Sequence, residues 1–357
     1  MLEPPRAGEV LVRMAAAGVC HSDLLLAEGA LGEGRWPLVL GHEGAGVVEA
    51  LGPGVSGVRV GERVVLCMIP ACGDCGPCRA GRRTLCEPAG AASLAGTLLD
   101  GSSRLRGARG EPLGHGLLLA CFATHTVVPV GSVVPVADSI PLWQAALLGC
   151  GALTGFGAVD RAGVRIGQSV AVIGCGGVGL QVIAAARLAG AGVIVAIDRD
   201  PIKLELARRR GATHALLATE EEALAAQLRA LCGAGGAEHC FEVVGSARTI
   251  RQAFALVRPG GAVTVVGLAP RGVEVALPAI DFLSEKTIAG CYYGSGDPRS
   301  GLERLIALVA AGRLELGEVV SHLAPLAGAP EALARLGRGE GARTVLVIDE
   351  QLAGRGL

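Results

Sequence analysis

Three groups of residues in this chain combine types and spacings that do chemistry. Cys72, Cys75, Cys78 and Cys86 follow C-x2-C-x2-C-x7-C in a loop rich in glycine and proline. Four thiolates this close can close a tetrahedron around one Zn2+, and a metal so enclosed is structural, because no position remains for a substrate. Four unrelated buried cysteines are the bland alternative, and the regular spacing disfavours it. Gly174-Cys175-Gly176-Gly177-Val178-Gly179 supplies G-x-G-x-x-G, whose glycines let the backbone approach a pyrophosphate at a helix N-terminus. The third group is LGHEGAG from Leu40 to Gly46, with Cys20, His21, Ser22 and Asp23 in succession upstream. A lone His-Glu pair is more often a hydrogen-bonded core or surface pair than a metal site, so His42 and Glu43 need partners from elsewhere in the chain.

The elements that must position these groups fall into two styles. Glu9 to Met14 alternates as a strand, and short apolar runs with Gly-rich turns continue through GVVEALG and GERVVLC, which predicts a small, strongly bent β domain. From Val170 the pattern changes. VAVIG reads as a strand, LQVIAAARLAG as a helix, and VIVAID as a second strand ending in Asp198, nineteen residues past the last motif glycine. Helices and strands then alternate through PIKLELARRRGA, THALL, EEALAAQLRALCG, HCFEVVG, ARTIRQAFALVRPG and GAVTVVGL, which predicts an α/β fold with a doubly wound parallel sheet. Asp198 can accept both ribose hydroxyls of an adenosine and would repel a 2'-phosphate, so NAD is expected over NADP, although Arg199 beside it tempers that preference. The C-terminal part, from about Gly294, is read as completing the first domain.

Composition narrows the function classes. A chain of 357 residues suits two domains. Net charge of -1, 51% hydrophobic residues and 3% aromatics give no electrostatic invitation to nucleic acid or an anionic membrane. Only Lys203 and Lys286 are lysines, which makes a catalytic lysine improbable. The start, MLEPPRAGEV, has no signal-peptide pattern, and a cytoplasmic protein is expected. Twelve cysteines without a secretory signal point to metal or redox chemistry. The apolar tract Val170 to Ile197 is long enough for a membrane span, but Gln181, Arg187 and six glycines divide it into strand, turn, helix and strand.

In combination, CHSD at Cys20, GHEGAG at Gly41, the four-cysteine lobe, LLGCGALTGFGA around Cys150, GCGGVG at Gly174 and GARTVLVI near the C-terminus resemble the zinc-dependent alcohol dehydrogenases of the medium-chain dehydrogenase/reductase superfamily. The texture is nearest the branch containing glutathione-dependent formaldehyde dehydrogenase, whose long segment after the structural zinc is echoed by Asp100 to Val128. The resemblance implies a GroES-like catalytic domain, residues 1-153 and 294-357 with a zinc lobe at about 71-87, and a Rossmann domain over 154-293. It implies two zincs per chain, NAD, an alcohol or aldehyde substrate and a homodimer. Cys20, His42 and Cys150 would be the three protein ligands of a catalytic zinc, leaving a fourth position open. Glu43 would approach the metal transiently, Asp23 would orient His42, and Ser22 would accept the alcohol proton. Gly174, Gly176, Gly177, Gly179, Asp198, Lys203 and Val266 would bind the cofactor, with Thr154 and Tyr293 at the nicotinamide and His21 and Arg343 at the pyrophosphate. Cys67, Cys121, Cys175, Cys232, Cys240 and Cys291 are expected to pack as small apolar residues.

Departures from the family shape the expected substrate. Leu25 stands where many relatives carry a proton-relay histidine, five residues after the first zinc cysteine. Gly90 and Leu31 replace an arginine and an acidic residue that the glutathione-using branch employs, although Glu33 survives. Met68, Phe122, Leu268 and Tyr292, with Trp36 nearby, are expected to line an apolar channel suited to aromatic or allylic alcohols. A thiol-adduct formaldehyde dehydrogenase is the alternative within enzymes, and a catalytically silent zinc- and nucleotide-binding protein is the alternative from another class. Relatives begin with one or two further strands, whose loss would leave a sheet edge unpaired.

Overall fold

In the computed structural model, residues 1-31, 37-233 and 235-354 are described; Glu33 and Trp36 lie outside them. The chain forms two compact units, Met1–Leu153 with Gly296–Leu357, and Thr154–Ser295.

The first unit is built on the strand Glu9–Val19. Its second half, Ala15 to Val19, is a run of small residues buried without gaps, which lets neighbouring strands approach on both edges. It pairs antiparallel with Glu43–Leu51, with His125–Pro129 and with Thr344–Val347. The rest of the seven-stranded sheet extends to His322–Pro325 on one side and to Arg63–Leu66 and Val133–Pro135 on the other. Because Val19 pairs with Thr344 and Gly18 with Glu43, one strand end gathers three segments that are far apart in sequence. The four-cysteine loop carries the short helix Gly76–Arg79 and leads into the helix Glu87–Ala95, which ends on Gly96 at φ 64, a left-handed position that glycine fills without strain.

The segment after that helix is tied to the sheet by a buried ion cluster. Arg104 is fully buried and bridges Glu9 (2.6 Å) and Asp100 (2.6 Å). Its charge is held only because both carboxylates accept its N–H groups; unpaired, so deep a guanidinium would cost several kcal/mol, on the order of 3–5. At the N-terminus Leu2 bridges Leu105, and the Met1 amino group donates to the Arg106 carbonyl at 2.7 Å.

The second unit is a six-stranded, wholly parallel sheet in the order His214–Leu217, Val193–Asp198, Ser169–Ile173, Ala237–Glu242, Val257–Val265, Thr287–Gly290. The strand first in sequence lies in the middle, so the order reverses beside it and opens a crevice at the strands' C-terminal ends, the place where such sheets bind nucleotides. Ala171, Ile173, Val195, Ile197 and Phe254 fill the core under the helices. The apolar tract from Val170 to Ile197 resolves into a strand, the helix Gly177–Leu188 and a second strand. No single helix among the described residues is long and apolar enough to cross a membrane.

Candidate active site

Cys20 ends the strand Glu9–Val19 and caps the helix His21–Ala27, which begins with the acidic Asp23 in its first turn. The Asp23 carboxylate is buried and accepts three hydrogen bonds: from the Cys20 amide (3.1 Å), from the Gly41 amide (3.1 Å) and from His42 Nδ1 (2.9 Å). Since a carboxylate only accepts, Nδ1 carries the proton and the lone pair of Nε2 faces away from Asp23. His42 Nε2 is buried without a hydrogen-bond partner, and so is Glu43 Oε2. Two orphaned polar atoms in one buried place mark a missing ligand. Cys150 arrives from the turn Ala146–Gly149, and ligand atoms of Cys20, His42, Glu43 and Cys150 all lie within 4.8 Å of one another.

The electrostatics of this cluster favour a cation. A hydrogen bond from Cys150 holds the Cys20 thiol well below its usual range, against the effect of burial, and the same contact with burial pushes Cys150 well above it. Burial alone would lower His42, but Asp23 and the sulfur of Cys20 together raise it. Burial pushes Glu43 up to about 7, partly countered by Arg343. Arg343, itself buried, donates to Glu43 Oε1 (3.1 Å) and to the Val19 carbonyl (3.0 Å). Two sulfurs and an imidazole with an open nitrogen are the donor set for zinc, and three such ligands leave a position for an exchangeable oxygen. Ser22 lies beside the cluster, its Oγ 4.0 Å from Cys20 Sγ.

The second cluster differs in character. Sulfurs of Cys72, Cys75, Cys78 and Cys86 lie within 4.8 Å of one another. Amides of Asp74 (3.4 Å) and Cys75 (3.3 Å) donate to the Cys72 sulfur, lowering that thiol to about 6, and the Cys72 amide donates to Cys86 at 3.3 Å. Backbone N–H groups aimed at sulfur stabilise thiolates, the form a metal takes. Four sulfurs and no further donor suit a closed, structural zinc.

In the second unit Gly174 has φ 96, and a side chain on Gly179 would overlap the Gly174 carbonyl, so this glycine lets the helix pack on the strand. Gly176 faces open space, where a pyrophosphate can approach the backbone. Asp198 is held by amides of Cys175 (2.7 Å) and Asp200 (2.9 Å) at the end of its strand. Lys203 and Val266 are half-buried, Thr154 and Tyr293 are buried, and the Val266 amide donates to the Glu242 carbonyl. Leu268 and Tyr292 are exposed in this unit. In the first unit Met68 is buried, and half-buried Phe122 donates its amide to the Leu40 carbonyl beside the LGHEGAG turn. His21 is exposed, whereas Arg343 is engaged with Glu43. Five of the six remaining cysteines are buried; Cys232 is the exception, half-exposed at its helix end.

Comparison with known proteins follows the two units. The family description "alcohol dehydrogenase GroES-like domain" matches residues 6–138, and "zinc-binding dehydrogenase" matches residues 177–311. An NDMA-dependent alcohol dehydrogenase of Amycolatopsis methanolica is 39% identical, over 97% of this chain and 93% of that protein. The S-(hydroxymethyl)glutathione dehydrogenase of Synechocystis is 35% identical, over 96% of this chain and 93% of its own. The chain belongs to the zinc-dependent alcohol dehydrogenase family. Among solved structures, benzyl alcohol dehydrogenase from Acinetobacter calcoaceticus superimposes with a TM-score of 0.88 at 29% identity, covering 98% of this chain and 94% of that one. The dehydrogenase is thus an NAD- and zinc-dependent oxidoreductase interconverting alcohols and aldehydes.

One contact of this dehydrogenase escaped sequence reasoning. The family resemblance implies a pyrophosphate role for Arg343, and nothing local in GARTVLVI announces that it pairs with a glutamate 300 residues earlier. The available signal is indirect: a buried glutamate beside a metal ligand needs a cation.

Proposed function

We propose that this dehydrogenase oxidises primary apolar alcohols, aromatic or allylic, and reduces the matching aldehydes, with two zincs per chain. The observation that carries the reading is the separation of two donor sets, one with four sulfurs and one with two sulfurs, an imidazole and a carboxylate. Cys20, His42 and Cys150 would hold the catalytic zinc, whose Lewis acidity lowers the pKa of an alcohol hydroxyl; the nicotinamide, when bound, accepts the hydride. Asp23 fixes the His42 ring and its tautomer. Ser22 takes up the hydroxyl proton, and with Leu25 buried in the same helix the proton leaves by water and the cofactor ribose instead of a histidine. Asp198 selects NAD, and Arg343 with His21 serves the pyrophosphate. Met68, Phe122, Leu268 and Tyr292 supply apolar substrate contacts. The enzyme is read as a cytoplasmic homodimer.

The test is NADH formation with a panel including benzyl alcohol, with metal content measured in parallel. Turnover of benzyl alcohol without added thiol and two zincs per chain are expected. A second reading, oxidation of a formaldehyde-thiol adduct, is favoured by the name of the Synechocystis relative. Gly90 and Leu31 speak against glutathione as the thiol. Formaldehyde turnover that requires added glutathione, with no activity on benzyl alcohol, would overturn the first reading. Ser22→Ala should keep both metals and lose about 100-fold in kcat, the usual contribution of a positioned proton acceptor; near-normal turnover would remove Ser22 from the relay.

A further inference from the structure

The Glu43 carboxylate is bounded by two glycines from distant parts of the sequence. Gly18 pairs with Glu43 across the sheet, and a Cβ at Gly18 would overlap Glu43 Oε2 and lie 3.1 Å from its Cβ and 3.2 Å from its Cδ. Gly18 is not among the left-handed glycines, so its backbone would accept alanine; the need for glycine here is one of space. Beyond the carboxylate, a Cβ at Gly151 would lie 2.7 Å from Arg343 Nη2 and 3.8 Å from Glu43 Oε1. Arg343 is pinned in turn by the Val19 carbonyl, the residue after Gly18. Oε1 therefore rests on a fixed guanidinium, while Oε2 occupies the recess that the missing side chain of Gly18 leaves, without a hydrogen-bond partner.

We propose that Gly18 is a positioning residue: its recess keeps the Glu43 carboxylate withdrawn onto Arg343, so that the Cys20, His42 and Cys150 cluster presents three ligands and an open position. The inference rests on the zinc reading of that cluster. With the recess filled, Oε2 has to leave it, while Arg343 stays anchored on the Val19 carbonyl. A displaced buried anionic oxygen seeks a cation, and the metal that Cys20, His42 and Cys150 would hold is one within its reach. Gly18 acts through Glu43 and touches no reacting atom.

The experiment replaces the catalytic zinc by cobalt and reads the visible absorption spectrum, with imidazole as the probe of the open position, in the unaltered protein, Gly18→Ala, Glu43→Ala and the double variant. Gly18→Ala should alter the cobalt spectrum and weaken imidazole binding by about tenfold or more, the scale of effects transmitted through residues behind metal ligands. The double variant should return to the spectrum and affinity of Glu43→Ala alone, because the group that suffers the overlap is gone. A Gly18→Ala protein with unchanged spectrum and imidazole affinity overturns the proposal, and so does a double variant that keeps the Gly18→Ala defect, which would place the effect in the strand. Should Gly18→Ala fail to fold, a double variant that folds with the Glu43→Ala spectrum supports the proposal, and one that also fails to fold overturns it. Failure of the zinc reading is distinguishable: the unaltered protein would then hold one metal per chain.

Discussion

Asp23 uses both carboxylate oxygens at the active site, Oδ2 accepting from the Cys20 amide and Oδ1 from the Gly41 amide and the imidazole of His42. Asp23→Asn keeps the shape but turns one oxygen into an NH2, which faces an N–H donor either way: the Cys20 amide if the carbonyl stays on Gly41 and His42, or those two if it flips. It should lower affinity for the catalytic metal about 10- to 100-fold while leaving the four-sulfur metal in place; metal content after stepwise chelator dialysis reads this directly. Asp198 is similarly fixed by two amides. Asp198→Ser should lower kcat/KM for NAD by about tenfold or more, the loss of a charged hydrogen bond being worth ~1.5–3 kcal/mol, and should narrow the gap to NADP. An unchanged preference would move cofactor selection elsewhere. At this scale the sequence was legible wherever residues sit close together: the cysteine quartet, the glycine motif and the CHSD run. The Glu43–Arg343 pair was not, because its members meet only through the adjacent strands Glu9–Val19, Glu43–Leu51 and Thr344–Val347.

Among elements, the cysteine lobe and the segment that follows it depend on different supports. The lobe has short helices and little core of its own, so Cys78→Ser, which opens the closed donor set, should release one metal and lower Tm by several degrees in a thermal scan. The following segment holds His115, which is buried; burial, with Arg104 adding to it and Asp100 opposing, pushes its pKa down to about 4. The fold therefore keeps His115 neutral, whereas the unfolded chain protonates it near 6.5. Its contribution is complete above pH 6.5 and is lost as pH falls toward 4, to a total of up to about 3 kcal/mol. His115→Gln should flatten the acid side of a stability-pH curve between those values, measured by urea unfolding. The same segment contains Leu117, Leu118 and Ala120 with positive φ, at 47°, 69° and 50°. Nothing in GLLLACF predicts left-handed leucines, because the strain is imposed by packing beneath the LGHEGAG turn, where Cys121 and Phe122 donate to Gly41 and Leu40.

At the scale of the whole molecule, the feature that bears on assembly is an edge of the parallel sheet. Thr287–Gly290 is an edge strand with mostly exposed side chains, and Ile280 and Leu283 nearby are exposed as well. An uncovered edge beside apolar side chains favours pairing with a second copy, in keeping with the proposed homodimer. The Cys291 amide donates inward to the Val265 carbonyl, so the Gly290 N–H points to the open edge, and Gly290→Pro should convert a dimer to a monomer in analytical ultracentrifugation while NAD binding persists; a protein that is monomeric to begin with would end this reading.

The sequence by itself determined the chemistry on offer: a closed four-thiolate site, a dinucleotide-binding turn with an acidic strand end, and a His-Glu turn in search of partners. Those are local patterns, fixed by spacing within a few residues or by the period of a strand and a helix. Only the tertiary structure decided which of the remaining groups meet. It brought Cys20, His42 and Cys150 within reach of one another, placed Glu43 on Arg343, and walled that pair with Gly18 and Gly151. The reason is physical: antiparallel register between distant strands sets those contacts, and register is written in the burial of whole strands and not in any short run of residues.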